Sequence, residues 1–545
     1  MQQAGDKPPW KFEKHGEVAT EISGDTTSDA AILKIRAWMR ECDQKHNCGR
    51  PWSPPYFPSR VLDISDPNFV RLHHVTGKES GGYACLSHCW GTTRFLTTTQ
   101  SNLDDHYSHI PWASLPKSFQ DAITITRRLR IPYLWVDSLC IVQDDKEDWK
   151  HESGEMADIY ASSKITLSAS MARSDLNGFT SSTPAQYLSR TLKYRSEDGS
   201  TQAIRMRKTL THGVGPASLP LLSRGWVLQE RLLSPRVVHF TSDELIWECT
   251  EKTTCECNCI RSLWAPGFVP FNKDILYEPN LSKASKTELT LTWHQIIEQY
   301  SRLDLSFSRD RLPAISGAAH RFSPYKRCEY YCGLWANSFV RDLMWARKGV
   351  LETSRRLAHV PTWSWISIDN QVTYDEAVST TELAVVLEFR RSSRVDEDDH
   401  VMHQIWRSSE SPNEEFSRIW RTTVVSGLLT SLRAFKDRER PRHVLSADSS
   451  VHPFEELAKL GDFVPDIKED HVQYSMADVH CLRLATQEGV MGAGDNQEIS
   501  LVLLLYDAGS NRCLRLGLLK RRFHGFIPDV DLYEGITEPT AVSLL

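Results

Sequence analysis

Two periods organise the apolar positions of this chain. Between Ala31 and Cys42, Ile32, Ile35, Trp38 and Met39 recur at three- and four-residue spacing, which predicts a helix. The same period returns from Pro116 to Leu129. There Phe119, Ala122, Ile123, Thr126 and Leu129 share a face, and Pro116 is tolerated in the first turn. Asp148 to Ser162 and Trp226 to Leu233 also read as helices. Between them lie short apolar runs. Tyr83 to Trp90, bounded by Gly81-Gly82 and Gly91, suits a buried strand. Tyr133 to Val142 is almost continuously apolar, as a strand covered on both faces of a parallel sheet would be. Lys164 to Ala169 supplies a third strand and Val237 to Trp247 more strand, with Arg60 to Ile64 a short one upstream. Strand and helix alternate, so the expected fold is α/β: an open, largely parallel sheet with flanking helices.

The pattern then changes. Leu291 to Leu303 and Leu334 to Trp345 are helical in period. Beyond Pro361 come strand-like runs at Trp363–Ile368, Leu383–Phe389, Val424–Leu429, Val479–Leu484, Leu501–Tyr506 and Cys513–Leu519. The charged stretch Arg391 to Asp399 reads as an exposed loop. The division expected is an N-terminal arm and helix (1–70), an α/β domain (71–260), a helical connector (261–360) and a β-rich C-terminal region (361–545).

A length of 545 residues exceeds what one core serves, and 40% hydrophobic with 25% charged residues is ordinary for a globular protein. The formal charge of −6 gives no electrostatic reason to expect nucleic-acid binding. The opening residues lack the basic-then-apolar pattern of a signal peptide, and the longest strongly apolar run, Leu501 to Tyr506, falls far short of a bilayer span. A cytoplasmic protein without a membrane span is expected. Its 13 cysteines then read as reduced thiols. Cys249-x5-Cys255-x-Cys257-x-Cys259 and Cys42-x3-His46-x-Cys48 lack the paired spacing of common zinc modules, so no metal is expected. A cysteine hydrolase built on Cys89 or Cys140 with His88 is a further reading, but neighbours His88 and Cys89 on a strand point to opposite faces, which forbids their direct contact.

Three blocks carry a resemblance. The first is Tyr83-Ala84-Cys85-Leu86-Ser87-His88-Cys89-Trp90-Gly91. The second starts at Leu115-Pro116, runs through Tyr133-Leu134-Trp135-Val136-Asp137-Ser138-Leu139-Cys140-Ile141-Val142-Gln143-Asp144-Asp145, and continues at Trp149, Glu152, Met156, Ile159 and Tyr160. The third is Arg224-Gly225-Trp226-Val227-Leu228-Gln229-Glu230-Arg231-Leu232-Leu233-Ser234, closed by Ile246-Trp247-Glu248-Cys249. In order, spacing and tryptophan content they resemble the fungal heterokaryon-incompatibility (HET) domain, with His88 where that family more often has an aromatic residue. Asp310 to Gly317 and Pro361-Thr362-Trp363-Ser364-Trp365 resemble segments common behind such domains. The resemblance implies allorecognition signalling that triggers cell death, with protein partners or self-association. Ser223 to Leu232 is further similar to the Ser-x-Trp-Cys-Leu-x-Glu-Leu helix of Toll/interleukin-receptor-like (TIR) domains, and Cys85-Leu86-Ser87 to their first strand. In the enzymatic members the helix glutamate drives NAD cleavage. That likeness makes the sheet TIR-like, Glu230 the candidate catalytic residue and NAD a substrate rather than a cofactor. Neither GxGxxG nor a P-loop sequence occurs.

Three carboxylates stand in apolar surroundings. Asp137 is either a ligand-facing group at a strand's carboxyl end or an acceptor for the next turn's N–H groups. Glu152 lies within the stripe of Trp149, Met156, Ile159 and Tyr160 and needs a partner, for which Arg224 is the candidate. Glu230 shares its helix face with Trp226, Gln229 and Leu233, while Leu228 and Leu232 cover the other side. A buried Gln-Glu pair demands partners, either as a core network or as a site with a shifted pKa. Arg224, Gln229, Ser87 and Trp90 join Asp137 and Glu152 as the candidate binding residues, with Arg224 suited to a pyrophosphate.

Overall fold

The computed structural model describes residues 20–48, 56–91, 96–195, 201–210, 219–259, 273–276, 278–348, 357 and 360–374. It also describes the strand segments 380–382, 385–391, 420–427, 429–431, 462–465, 479–488, 497–507, 512–523 and 540–544. The chain divides into two compact units, Met1–Asn280 and Leu281–Leu545.

The first unit is built on an eight-stranded sheet. Its strands are β1 (Arg60–Asp63), β2 (Arg71–His74), β3 (Tyr83–Ser87), β4 (Tyr133–Trp135) and β5 (Ile165–Ser168). After a separate hairpin, β6 (Arg190–Arg195) and β7 (Thr201–Met206), come β8 (Arg236–Phe240), β9 (Leu245–Cys249) and β10 (Thr253–Cys255). The spatial order is β10-β9-β8-β5-β3-β4-β1-β2. The pairs β4–β3, β3–β5 and β5–β8 are parallel, whereas β1–β2, β1–β4, β8–β9 and β9–β10 are antiparallel. The sheet is therefore mixed, with a parallel centre of four strands and an antiparallel pair at each edge. The expectation of a largely parallel sheet holds for that centre alone. Edge strands β9 and β10 follow β8 through short turns, and a short turn can only reverse the chain.

The helices are α1 (Asp29–Lys45), α2 (Leu103–Ser108), α3 (Lys117–Arg128), α4 (Asp137–Cys140), α5 (Lys146–Ser162) and α6 (Gly225–Leu233). Ser28 caps α1 by accepting from the Ala31 N–H, and Asp145 caps α5 by accepting from Glu147 and Asp148. On α3, Phe119, Ala122, Ile123 and Thr126 are buried as the period required. The core joins both sheet faces, with Tyr83, Leu86, Leu134, Trp135, Ile159 and Leu167 all buried and Trp135 edge-on to Tyr160 at 5.5 Å.

The run Tyr133 to Val142 is not one strand. Pairing ends at Trp135, and the chain turns into α4 at Asp137. Continuous apolarity reports enclosure on all sides, which a short core helix satisfies as well as a strand does.

In the second unit, helix Lys286–Tyr300 carries buried Trp293, which stacks at 5.6 Å on Phe322 of helix Pro313–Lys326, and Trp335, Trp345, Trp363 and Trp365 are buried too. Two expectations fail there. Leu334 to Trp345 breaks into a short strand, a helical turn at Phe339–Asp342 and the start of another strand. Trp363 to Ile368 contains a 3-10 turn at Trp365–Ser367 instead of a strand. Tryptophan-rich apolarity again marked burial without fixing the backbone. The described segments after residue 380 are strands, but most of the rest of 361–545 lies outside the described residues, as do the loop at 392–399, much of the arm at 1–19 and the connector's start at 261–272.

Candidate functional site

The connections leaving β3 and β5 depart in opposite directions along the sheet, since β3 leads to β4 on one side and β5 to β8 on the other. Between the carboxyl ends of two such strands an open α/β sheet forms its ligand crevice. Ser87 closes β3 and pairs in register with Ser168, which closes β5. Immediately past these ends the chain places His88, Trp90, Asp137 and Asp175. Gly91 allows the close packing, for its φ is +75° and a Cβ there would stand 2.7 Å from the Ser174 side chain beside Asp175.

Asp137 occupies the first turn of α4, where its Oδ1 accepts from the Ser138 N–H at 2.7 Å and its Oδ2 from the Trp90 indole N–H at 2.9 Å. One oxygen thus serves the turn, and the side chain keeps 23% exposure at the strand ends. His88 is buried, with Nε2 at 3.7 Å from both Asp137 and Asp175. That nitrogen completes no hydrogen bond among the described residues. Burial raises the Asp175 pKa to about 6, against the pull of His88.

Glu230 reaches the same place from α6, which packs on α5 and β3. Its carboxyl is buried, and Oε2 has no hydrogen-bond partner among the described residues. Ser87, whose hydroxyl also completes no hydrogen bond, lies near enough to favour the ionised form. Burial outweighs this, and with Asp137 adding repulsion it pushes the Glu230 pKa up to about 7 despite Arg224 and His88. Arg224, the residue before α6, donates to the His88 carbonyl at 3.2 Å. Burial disfavours its charge, yet Cys89, Glu230 and Asp137 together raise its pKa. Tyr160 borders Glu230 from α5, and burial holds its phenol well above the usual range.

Five of the sequence candidates thus converge: Ser87, Trp90, Asp137, Arg224 and Glu230. Gln229 is buried on the same helix. Glu152 is not part of this group. Its partner is Arg60 at 3.5 Å rather than Arg224, and Arg60 also holds Asp148 at 2.6 Å and donates to the Cys140 carbonyl at 2.7 Å. Asp175 and Tyr160 were not anticipated, and His88 was weighed only as the partner of a cysteine nucleophile. Tyr160 lay in the motif blocks without a site role, while Asp175 sits in a loop with no period to mark it.

The arrangement is chemically suited to a cationic or polarised ligand. It offers a buried carboxyl with a pKa raised to about 7, a second carboxylate at the more open edge, and a guanidinium whose charge acts on both. Among the described residues no helix is long and apolar enough to cross a membrane. No curated protein and no solved structure matches the chain. Residues 83–230, from the first residue of β3 to the glutamate of α6, match the model of the family described as Heterokaryon incompatibility protein (HET), and the chain accordingly carries a HET domain.

Proposed function

We propose that this protein is a fungal incompatibility effector of the cytoplasm that links recognition of a protein partner to programmed cell death by hydrolysing NAD at the Glu230 cluster. The HET domain supports an incompatibility-related role in fungi. The observation that carries the chemistry is a buried carboxyl with a free oxygen and a pKa near 7, facing Arg224 and Asp137 at the strand ends. In the reaction the nicotinamide–ribose bond breaks and its electron pair leaves with nicotinamide. The ribose C1′ gains oxocarbenium character, which the Glu230 carboxylate stabilises. Water then adds at C1′ and releases a proton, giving ADP-ribose. Arg224 is the group suited to the pyrophosphate. The likeness of the α6 segment to the TIR glutamate helix supports the same assignment. We read the region from residue 361 as a β-rich module.

Incubating the purified full-length protein with NAD and quantifying free nicotinamide tests this. Glu230→Gln should lower the rate at least ~100-fold, the scale of losing one electrostatic stabiliser, while its circular dichroism is unchanged. The depth of Glu230 favours a second reading, a non-enzymatic assembly module in which this carboxyl is part of a packed interior. Absence of nicotinamide release from an assembled, cell-killing wild-type protein would select that reading.

A further inference from the structure

Two cysteine motifs that look unrelated in the sequence meet in the fold. Cys42 lies on the last turns of α1 and His46 caps that helix, its N–H bonded to the Cys42 carbonyl. The two side chains are therefore one turn apart on a single face. Cys48 follows two residues later. Cys249 ends β9, and its sulfur stands 3.5 Å from His46 Nδ1 across 203 residues of chain. One donor atom from each of Cys42, His46, Cys48 and Cys249 lies within 4.8 Å of every other. Cys42, Cys48 and Cys249 are buried, and His46 is partly so. We propose that these four residues form a tetrahedral structural zinc site of the Cys3His type.

The dimensions fit a single ion. Zinc at about 2.3 Å from sulfur and about 2.0 Å from nitrogen requires sulfur–nitrogen edges of about 3.5 Å and sulfur–sulfur edges of about 3.8 Å. The Cys249–His46 separation equals the first, and a ceiling of 4.8 Å leaves no room for a multinuclear cluster. Thiolates with one imidazole select zinc over the hard oxygen-seeking cations. Three thiolates around a divalent ion leave one net negative charge. The buried cation Arg236 sits directly opposite Cys249 in the β8–β9 register, where it offsets that charge while bonding to Asp43 of α1.

The frame around the four donors is tight. Trp38 stacks on Trp247 at 5.7 Å, Lys252 pairs with Glu41 at 3.0 Å, and the Asn47 N–H donates to Glu251 at 2.6 Å. The first contact joins the middle of α1 to β9 and the other two join its end to the β9–β10 turn, so packing holds together the two segments that carry the donors. A separate trio lies at the other end of β9. In Glu244, Cys255 and Cys257 the carboxylate already accepts from the Cys257 N–H at 2.7 Å and from its thiol at 3.2 Å. That trio has a hydrogen-bonded use without an ion. All four zinc donors lie outside residues 83–230, two flanks of the HET segment tied by one centre.

Elemental analysis of the full chain, purified without chelators from zinc-containing medium, should find equimolar zinc. Cys42→Ser and Cys249→Ser should lose it, and Cys255→Ser should keep it. Because a ligand variant can fail to fold, cobalt is exchanged into the intact chain in parallel. It should give the intense visible bands of a tetrahedral ion and a near-ultraviolet thiolate band that saturates at one equivalent. A reduced chain that binds neither zinc nor cobalt overturns the site, as does zinc lost in Cys255→Ser but retained in Cys249→Ser.

Discussion

The first unit holds two buried polar networks on one sheet, and they are satisfied to different degrees. In one, Ser168 meets Ser170 at 2.8 Å, Ser170 meets His239 Nδ1 at 2.9 Å, and His239 Nε2 meets Glu248 at 2.8 Å. Arg231 grips Glu248 with two bonds of 2.6 and 2.5 Å. Burial works against the Glu248 charge, but Arg231 and His239 overcome it and hold this carboxyl far below its usual range. In the other, His88, Ser87 and Glu230 each keep a buried polar atom without a partner among the described residues, and burial wins at Glu230. The serine–histidine–glutamate order of the first network looks like a hydrolase triad, yet Ser170 is wholly buried and its glutamate is spent on an arginine. Chemistry needs groups with capacity left over, and the second network has it.

The largest expected effect tests the satisfied network. Glu248→Ala strips Arg231 and His239 of their shared anion in the interior, which should cost about 3–5 kcal/mol. Denaturant unfolding at neutral pH reads this directly. A loss below about 1 kcal/mol would mean that the two networks do not differ in kind.

Next comes pH. The Glu230 pKa is raised in the folded chain, to about 7, whereas an unfolded glutamate titrates near 4.3. The folded state then binds the extra proton, so this group's penalty is absent below the unfolded pKa. It grows as pH rises and is complete above about 7. The full penalty is on the order of 3 kcal/mol. Asp175, raised to about 6, acts in the same sense. Glu248 acts oppositely, contributing stability that is lost only as pH falls below the ordinary glutamate range. Glu230→Gln should thus be nearly as stable as wild type at pH 4 and more stable at pH 8. Melting curves of the two proteins that stay parallel across this range would remove Glu230 from the unsatisfied class.

Much of the second network was legible because its members fall inside apolar runs, where any polar residue stands out. Asp137 and Glu230 were found that way, whereas Ser87 and Arg224 entered through the motif blocks and as a partner for the carboxylates. The first network escaped because His239 and Glu248 alternate along strands, where a polar residue reads as facing water; only the antiparallel β8–β9 pairing puts both inside. The α/β class and the parallel centre followed from periodicity. The edge reversals and the early end of the strand at Trp135 did not, since apolarity reports enclosure and not dihedral angles. The meeting of Cys42 with Cys249 depends on strand order, which no local spacing encodes.

The smallest effect concerns Glu152, which stands between the two classes. One of its oxygens faces Arg60 at 3.5 Å, the other has no partner among the described residues, and burial raises its pKa against the pull of Ser59 and Arg60. Arg60 itself is served better by Asp148, through contacts of 2.6 Å to both carboxylate oxygens. Neutralising Glu152 therefore leaves Arg60 paired and removes a poorly compensated buried charge. Glu152→Gln should change stability by less than about 1 kcal/mol, because the amide keeps the shape and the guanidinium keeps its anion. It should also leave nicotinamide release unchanged, since its near neighbours are Arg60, Asp148 and Ser59 and it is absent from the groups that shift Glu230. A Glu152→Gln protein that folds normally but loses NAD turnover would extend the site along α5 and erase the boundary between the paired carboxylate and the unpaired one.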